Sequence, residues 1–163
     1  MARGREPKHP KSCHERALGL LAVRPRSRRE LERRLLGARF DPDEVHDVLD
    51  RLEAVGLIDD AEFARQYAEH RFGARRESAR AVVNRLRAAG VSAELAVETA
   101  AAAPDDDEAR ALELACSRTG RLAGLEPAKA FGRLSSFLMR RGYGPDIARR
   151  AARDALQLNT DEA

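Results

Sequence analysis

RRLLGARFDPDEVHDVL (residues 33–49), NRLRAAGVSAELAVETA (84–100) and SFLMRRGYGPDIARRAA (136–152) share one grammar: the end of a helix, a tight turn, and the start of the next helix. Leu35, Leu86 and Leu138 hold the same place in the three stretches, as do Phe40, Val91 and Tyr143, so the period is 51 to 52 residues. A fixed period of that size marks a repeat architecture, in which each unit is too small to bury its apolar face alone. Outward from the turns, each third of the chain reads as three helices. The expected fold is all-α, with three tandem three-helix (helix-turn-helix-like) repeats in an elongated curved array. The expected boundaries are a disordered basic tail over 1–12, repeats over 13–58, 59–104 and 105–157, and a C-terminal tail over 158–163.

Local chemistry marks the helix ends. A side-chain oxygen followed three residues later by Glu satisfies orphan amides of a first turn, and Ser27/Glu30, Asp41/Glu44, Asp59/Glu62 and Asp105/Glu108 all fit. Pro42, Pro127 and Pro145 stand where a first helical residue goes, and Gly56, Gly90 and Gly142 are each followed by an apolar residue, as a left-handed helix stop prefers. Starts and stops together give about nine helices, with an irregular insert around Gly120 to Pro127. Between them the apolar spacing is helical, as in Val45, Val48, Leu49, Leu52 and Val55.

Composition narrows the class. The chain has 163 residues, 35% charged and 4% aromatic, with 43% apolar residues that include many alanines, a mixture suited to closely approaching helices. No run approaches the roughly 18 apolar residues of a membrane span, and the start lacks a cleavage pattern, so a cytoplasmic protein without membrane contact is expected. The formal net charge is only +3, yet the signs are segregated: residues 1–40 carry +8, 41–70 carry −8, 71–90 carry +5, 91–113 carry −6 and 114–153 carry +7.

Catalytic chemistry finds little purchase. His9, His14, His46 and His70 have no spacing that brings them together with carboxylates or thiols. Asp105, Asp106, Asp107 and Glu108 read as a helix start, where carboxylates meet the positive helix terminus, in preference to a cation site. Cys13 and Cys116 lie far apart and read as small apolar residues. No phosphate-binding glycine loop occurs, and no metal, cofactor or catalytic residue is expected.

Arginine clusters are the stronger lead, because Arg neutralises phosphates and supplies most sequence-independent nucleic-acid affinity. Arg24, Arg26, Arg28, Arg29, Arg33 and Arg34 form the first; Arg71, Arg75, Arg76, Arg80, Arg85 and Arg87 the second; Arg140, Arg141, Arg149, Arg150 and Arg153 the third. The bland alternative is a solvated face answering acidic helices nearby. With no Trp and few aromatics, base stacking has no platform, and Phe63 and Tyr67, one helical turn apart, suit a core face better.

The stretch GLIDDAEFARQYAEHR, residues 56–71, resembles the signature of the RecX family, regulators of the RecA recombinase, through Gly56, Leu57, Ile58, Asp59, Asp60, Phe63, Ala64, Tyr67 and Arg71. The resemblance runs over about residues 14–157, including SRRELERRL before the motif and LRAAGVS and RRGYGPDIA after it. It implies a non-enzymatic regulator, expected to be a monomer, that lodges in the groove of RecA filaments and inhibits their ATP hydrolysis, strand exchange and coprotease activity. Direct contact with single- or double-stranded DNA is part of that expectation. The segment after Arg71, FGARRESARAVVNRL, departs from the Lys/Gly-rich form common in the family, and residues 1–12 are an added tail. The motif itself reads as structural, with Gly56 ending one helix, Asp59 capping the next, and Leu57, Ile58 and Phe63 buried between repeats.

Two other classes compete. A helix-turn-helix DNA-binding protein would place Asn, Gln and Arg together on one reading face, and this chain offers only Asn84, Asn159, Gln66 and Gln157. A pure protein scaffold would bind its partner without the steep salt dependence of phosphate contacts.

Overall fold

Three-helix repeats follow from where the chain can start and stop a helix. The structure, a computed structural model, describes residues 11–103 and 106–157. Nine α-helices lie among them: α1 (Cys13–Val23), α2 (Arg28–Gly37), α3 (Pro42–Ala54), α4 (Asp60–Gly73), α5 (Ala79–Ala89), α6 (Ala93–Ala101), α7 (Asp107–Thr119), α8 (Pro127–Arg140) and α9 (Pro145–Ala155). No strand occurs among the described residues. Three consecutive helices make each repeat.

Ser27, Asp41 and Asp59 cap α2, α3 and α4 as their spacing predicts, accepting from the amides of Glu30, Glu44 and Glu62. Each such cap contributes about 1 kcal/mol. Gly56, Gly90 and Gly142 all take positive φ, at 73°, 99° and 96°. Three expectations change. Ser12, assigned to the tail, caps α1 in a full capping box with Glu15. Asp105 lies outside the described residues, and α7 is capped by the next aspartate, Asp106, through the Ala109 amide. The insert is compact: Gly120–Leu122 form a single 3-10 turn, and Gly124 at φ +83° turns the chain into α8. His9, Pro104, Asn159 and most of both expected tails lie outside the described residues.

The described chain forms two compact units, residues up to 63 together with 89–91, and residues 64–88 together with those from 92 onward. In the first, Cys13 and Ala17 of α1 pack with Leu31 and Leu35 of α2 and with Val45, Val48, Leu49 and Leu52 of α3, and Ile58 and Phe40 close the ends. Burying each of these leucines stabilises by about 1.5–3 kcal/mol. Burial pushes the Cys13 thiol up to about 11, with Glu44 nearby adding to the shift. Cys116, in contrast, is exposed on α7. In the second unit, Leu114, Leu134, Leu138 and Tyr143 are joined by Ala111, Ala115, Ala148, Ala151 and Ala152. Alanine buries little area, and here it lets α7, α8 and α9 approach closely.

Candidate interaction surface

The 56–71 motif is a splice between two helices. Gly56 ends α3, and the chain then reverses side by side: Ile58 is buried while Leu57 is 53% exposed. Leu57 therefore does not enter the core as expected: the chain turns back on α3, with the amides of Leu57 and Ile58 both donating to the Leu52 carbonyl, and only Ile58 packs into the core of α1–α3. Phe63 is buried in the first unit and Ala64 in the second. Tyr67 is half-buried, with the Arg71 guanidinium 4.8 Å from its ring centroid and bonded to its hydroxyl at 2.9 Å. Asp60 accepts the backbone N–H of Arg28 at 2.8 Å. Burial raises its carboxyl pKa above the ordinary value, against the pull of that hydrogen bond. The contacts of these motif residues are thus those of caps, stops and packing groups.

About half of the predicted arginines are tied up by partners within the protein. In the first cluster Glu30, 6% exposed, gathers Arg24 at 2.7 Å, Arg34 at 2.9 Å and the buried Arg26. Burial works against its carboxylate, but Arg34 and Arg26 prevail and hold its pKa below the ordinary value. Arg28 holds Asp50 at 2.6 Å and Glu53 at 2.7 Å. In the second cluster the buried Glu77 repeats the role of Glu30, taking Arg71 at 3.2 Å and Arg85 at 2.7 Å. Arg76 pairs with Glu113. In the third, Arg150 meets Glu108 at 2.9 Å, and Arg141 donates to the Arg75 carbonyl and lies 5.2 Å from the Phe137 ring centroid.

What is left over is more selective than the clusters suggested. Arg29 and Arg33 in the first unit, and Arg75, Arg80, Arg87, Arg140 and Arg149 in the second, are exposed. They form no salt bridge with any described residue, and neither does the half-buried Arg153. Charge density along the sequence also leaves out a basic groove. On α8, Lys129, Arg133 and Arg140 are exposed, without salt bridges among the described residues, and line a shallow groove of about 590 Å³ with Gly132 and Ser136. The signal was helical phase: offsets of four and eleven residues fall near one face of a helix.

A second, more enclosed groove of about 610 Å³ lies among α4, α6 and α7, with Ala68, Phe72, Leu95 and Ala102 in its wall and the Arg76–Glu113 pair beside it. The one hydroxyl lining it, on Thr99, donates back to the Leu95 carbonyl. Among the described residues no three His, Cys, Asp or Glu side chains converge as a metal site, and no helix is long and apolar enough to cross a membrane.

Comparison with known proteins follows the same three-part division. Residues 13–52, 59–99 and 105–152 match, in order, the profiles described as RecX, first, second and third three-helix domain. The regulatory protein RecX of Streptomyces coelicolor is 34% identical over 158 residues, covering 95% of this chain and 84% of that protein. That of Mycobacterium avium is 36% identical over 146 residues, covering 88% and 84%. The crystal structure of RecX from Lactobacillus salivarius has a similar fold, with a TM-score of 0.73 over 90% of this chain and 96% of that one at 18% identity.

Proposed function

We propose, from the premise that the chain belongs to the RecX family of regulatory proteins, that it binds RecA nucleoprotein filaments in the cytoplasm and restrains their ATP hydrolysis, strand exchange and coprotease activity during DNA repair and the SOS response. The observation that carries this is the match of all three family domains, in order, along the chain. The protein acts by occupancy and performs no catalysis of its own. Several modules contacting neighbouring protomers of a filament multiply weak individual contacts, since each further contact is made at high effective concentration.

The cations without internal partners are the surface this reading uses. Arg29 and Arg33, Arg75 and Arg80, and Lys129, Arg133 and Arg140 are each exposed. Such groups can meet filament acids or DNA phosphates without first breaking an ion pair. Arg26, Arg28 and Arg76 drop out as leading contacts, because each is already held by a carboxylate.

The test is the single-strand-dependent ATPase rate of the cognate RecA filament, titrated with this protein beside a control lacking the recombinase. The expected result is a falling rate below one-to-one stoichiometry, with no hydrolysis in the control. A flat rate combined with sequence-preferring binding to duplex DNA overturns the reading in favour of a helix-turn-helix DNA-binding protein.

A further inference from the structure

Two joints in the molecule are built to one plan, and we infer that the outer sides of the first and third repeats lack the aspartate, the glycine, the serine hydroxyl and the first-turn N–H on which those joints rest, so that the three-repeat series does not take up a second copy end to end.

The joint has a giving half and a receiving half. The giving half is the start of a repeat's second helix: a capping serine, followed by a first helical residue whose backbone N–H points outward. The receiving half belongs to the next repeat: an aspartate at the first position of its first helix, and a positive-φ glycine closing its second. In the first unit the Ser27 hydroxyl donates to the Ala89 carbonyl, the Arg28 N–H donates to Asp60 at 2.8 Å, and Gly90 lies against them. A Cβ on Gly90 would fall 2.6 Å from the Arg29 Cβ. In the second unit the Ser78 N–H donates to the Arg141 carbonyl at 3.2 Å, the Ala79 N–H donates to Asp107 at 2.9 Å, and Gly142 closes the contact. A Cβ there would fall 2.6 Å from the Ala81 Cβ.

On the first repeat both receiving positions are changed. Its first helix opens with Cys13 in place of aspartate, and the positive-φ position after α2 holds Arg39, at φ 67°. A Cβ sits where the two glycines make their close approach. On the third repeat both giving positions are changed as well. Glu126 stands in the serine position and Pro127 at the first helical position. Proline there suits the helix but has no N–H to give. Glu126 still caps α8 by accepting the Ala128 amide, while lacking the hydroxyl donor of Ser27. Repeat proteins need terminal units whose outer faces do not stack, and here the change is made at the few atoms of the joint.

The test opens the ends one at a time in the full chain. Arg39→Gly with Cys13→Asp frees the receiving end; Glu126→Ser with Pro127→Ala frees the giving end. Wild type and each single-ended variant are expected to sediment at monomer mass at about 1 mM, a concentration that reveals even a millimolar Kd. An equimolar mixture of the two single-ended variants should move toward twice that mass, and a chain carrying all four changes should form longer species. A mixture of helical, folded variants that stays at monomer mass overturns the proposal, as does end-to-end association of the wild type. A converse variant, Ala79→Pro, places the terminal chemistry inside the second unit's joint. Exchange of the Ser78 amide should rise at least tenfold, and unchanged protection counts against the joint.

Discussion

At the scale of single residues, the positive-φ glycines that follow α3, α5 and α8 are not equivalent. Gly56 and Gly90 both sit at positive φ, but an added Cβ at Gly56 meets nothing within 4 Å, whereas at Gly90 it runs into Arg29. Gly56→Ala should therefore lose only the left-handed penalty, about 1–2 kcal/mol, while Gly90→Ala adds an overpacking cost of about 1–3 kcal/mol. Urea unfolding of the two variants measures the difference, and equal losses would mean that the close approach has no energetic weight. Two carboxylates, the buried Glu30 and the half-buried Asp60, provide a second contrast. Glu30 is held below its ordinary pKa, so its stabilisation is present above the unfolded value, near 4.5, and is lost as pH falls through the lower folded value. Asp60 is raised above 3.8, so its contribution has the opposite sign: present at low pH, and lost as pH rises through the folded value. Glu30→Gln should flatten the acid limb of the stability curve below pH 4.5 while lowering neutral stability. Asp60→Asn should keep an acceptor for Arg28 and match or exceed wild-type stability at pH 7. A destabilised Asp60→Asn protein would show that charge, and not only the hydrogen bond, holds the site.

At the scale of the helix, α8 is the element on which direct phosphate contact can be tested cleanly. Reversing Lys129, Arg133 and Arg140 to Glu touches three exposed side chains that hold no described carboxylate. Helical content should stay constant while any affinity for single-stranded DNA falls and its logarithmic salt slope shrinks by about two to three, one unit for each phosphate that the variant no longer meets. An unchanged slope would remove this face from nucleic-acid binding. Helix ends were legible from sequence because Ser27, Asp41, Pro145 and Gly142 act within one turn of themselves. Contacts decided in three dimensions were not. Nothing in the spacing of Arg24, Arg26 and Arg34 says that one buried Glu30 collects all three. For the same reason Leu57 looked as buried as Ile58, and Asp105 looked as good a cap as Asp106. Lys129 and Arg133 were passed over because a count of charges along the chain ignores the phase of the helix that carries them.

At the scale of the whole molecule, the core described in each of the two units predicts its own local response. Leu49 and Leu138 are both fully buried, one in each unit, and truncating either to Ala should cost about 2–5 kcal/mol. Hydrogen exchange should place the loss of protection chiefly on α1–α3 for Leu49→Ala and on α7–α9 for Leu138→Ala. Uniform loss over all nine helices in both variants would show one cooperative body in place of two. The middle repeat stands apart from its neighbours in this respect, since Ser78 and Ala79 at one of its helix starts and Asp60 and Gly90 elsewhere in it supply both halves of a joint. It is therefore the one stretch that matches a copy of itself, and a tandem duplication there would extend the protein by a fourth module while reusing the bonds already present.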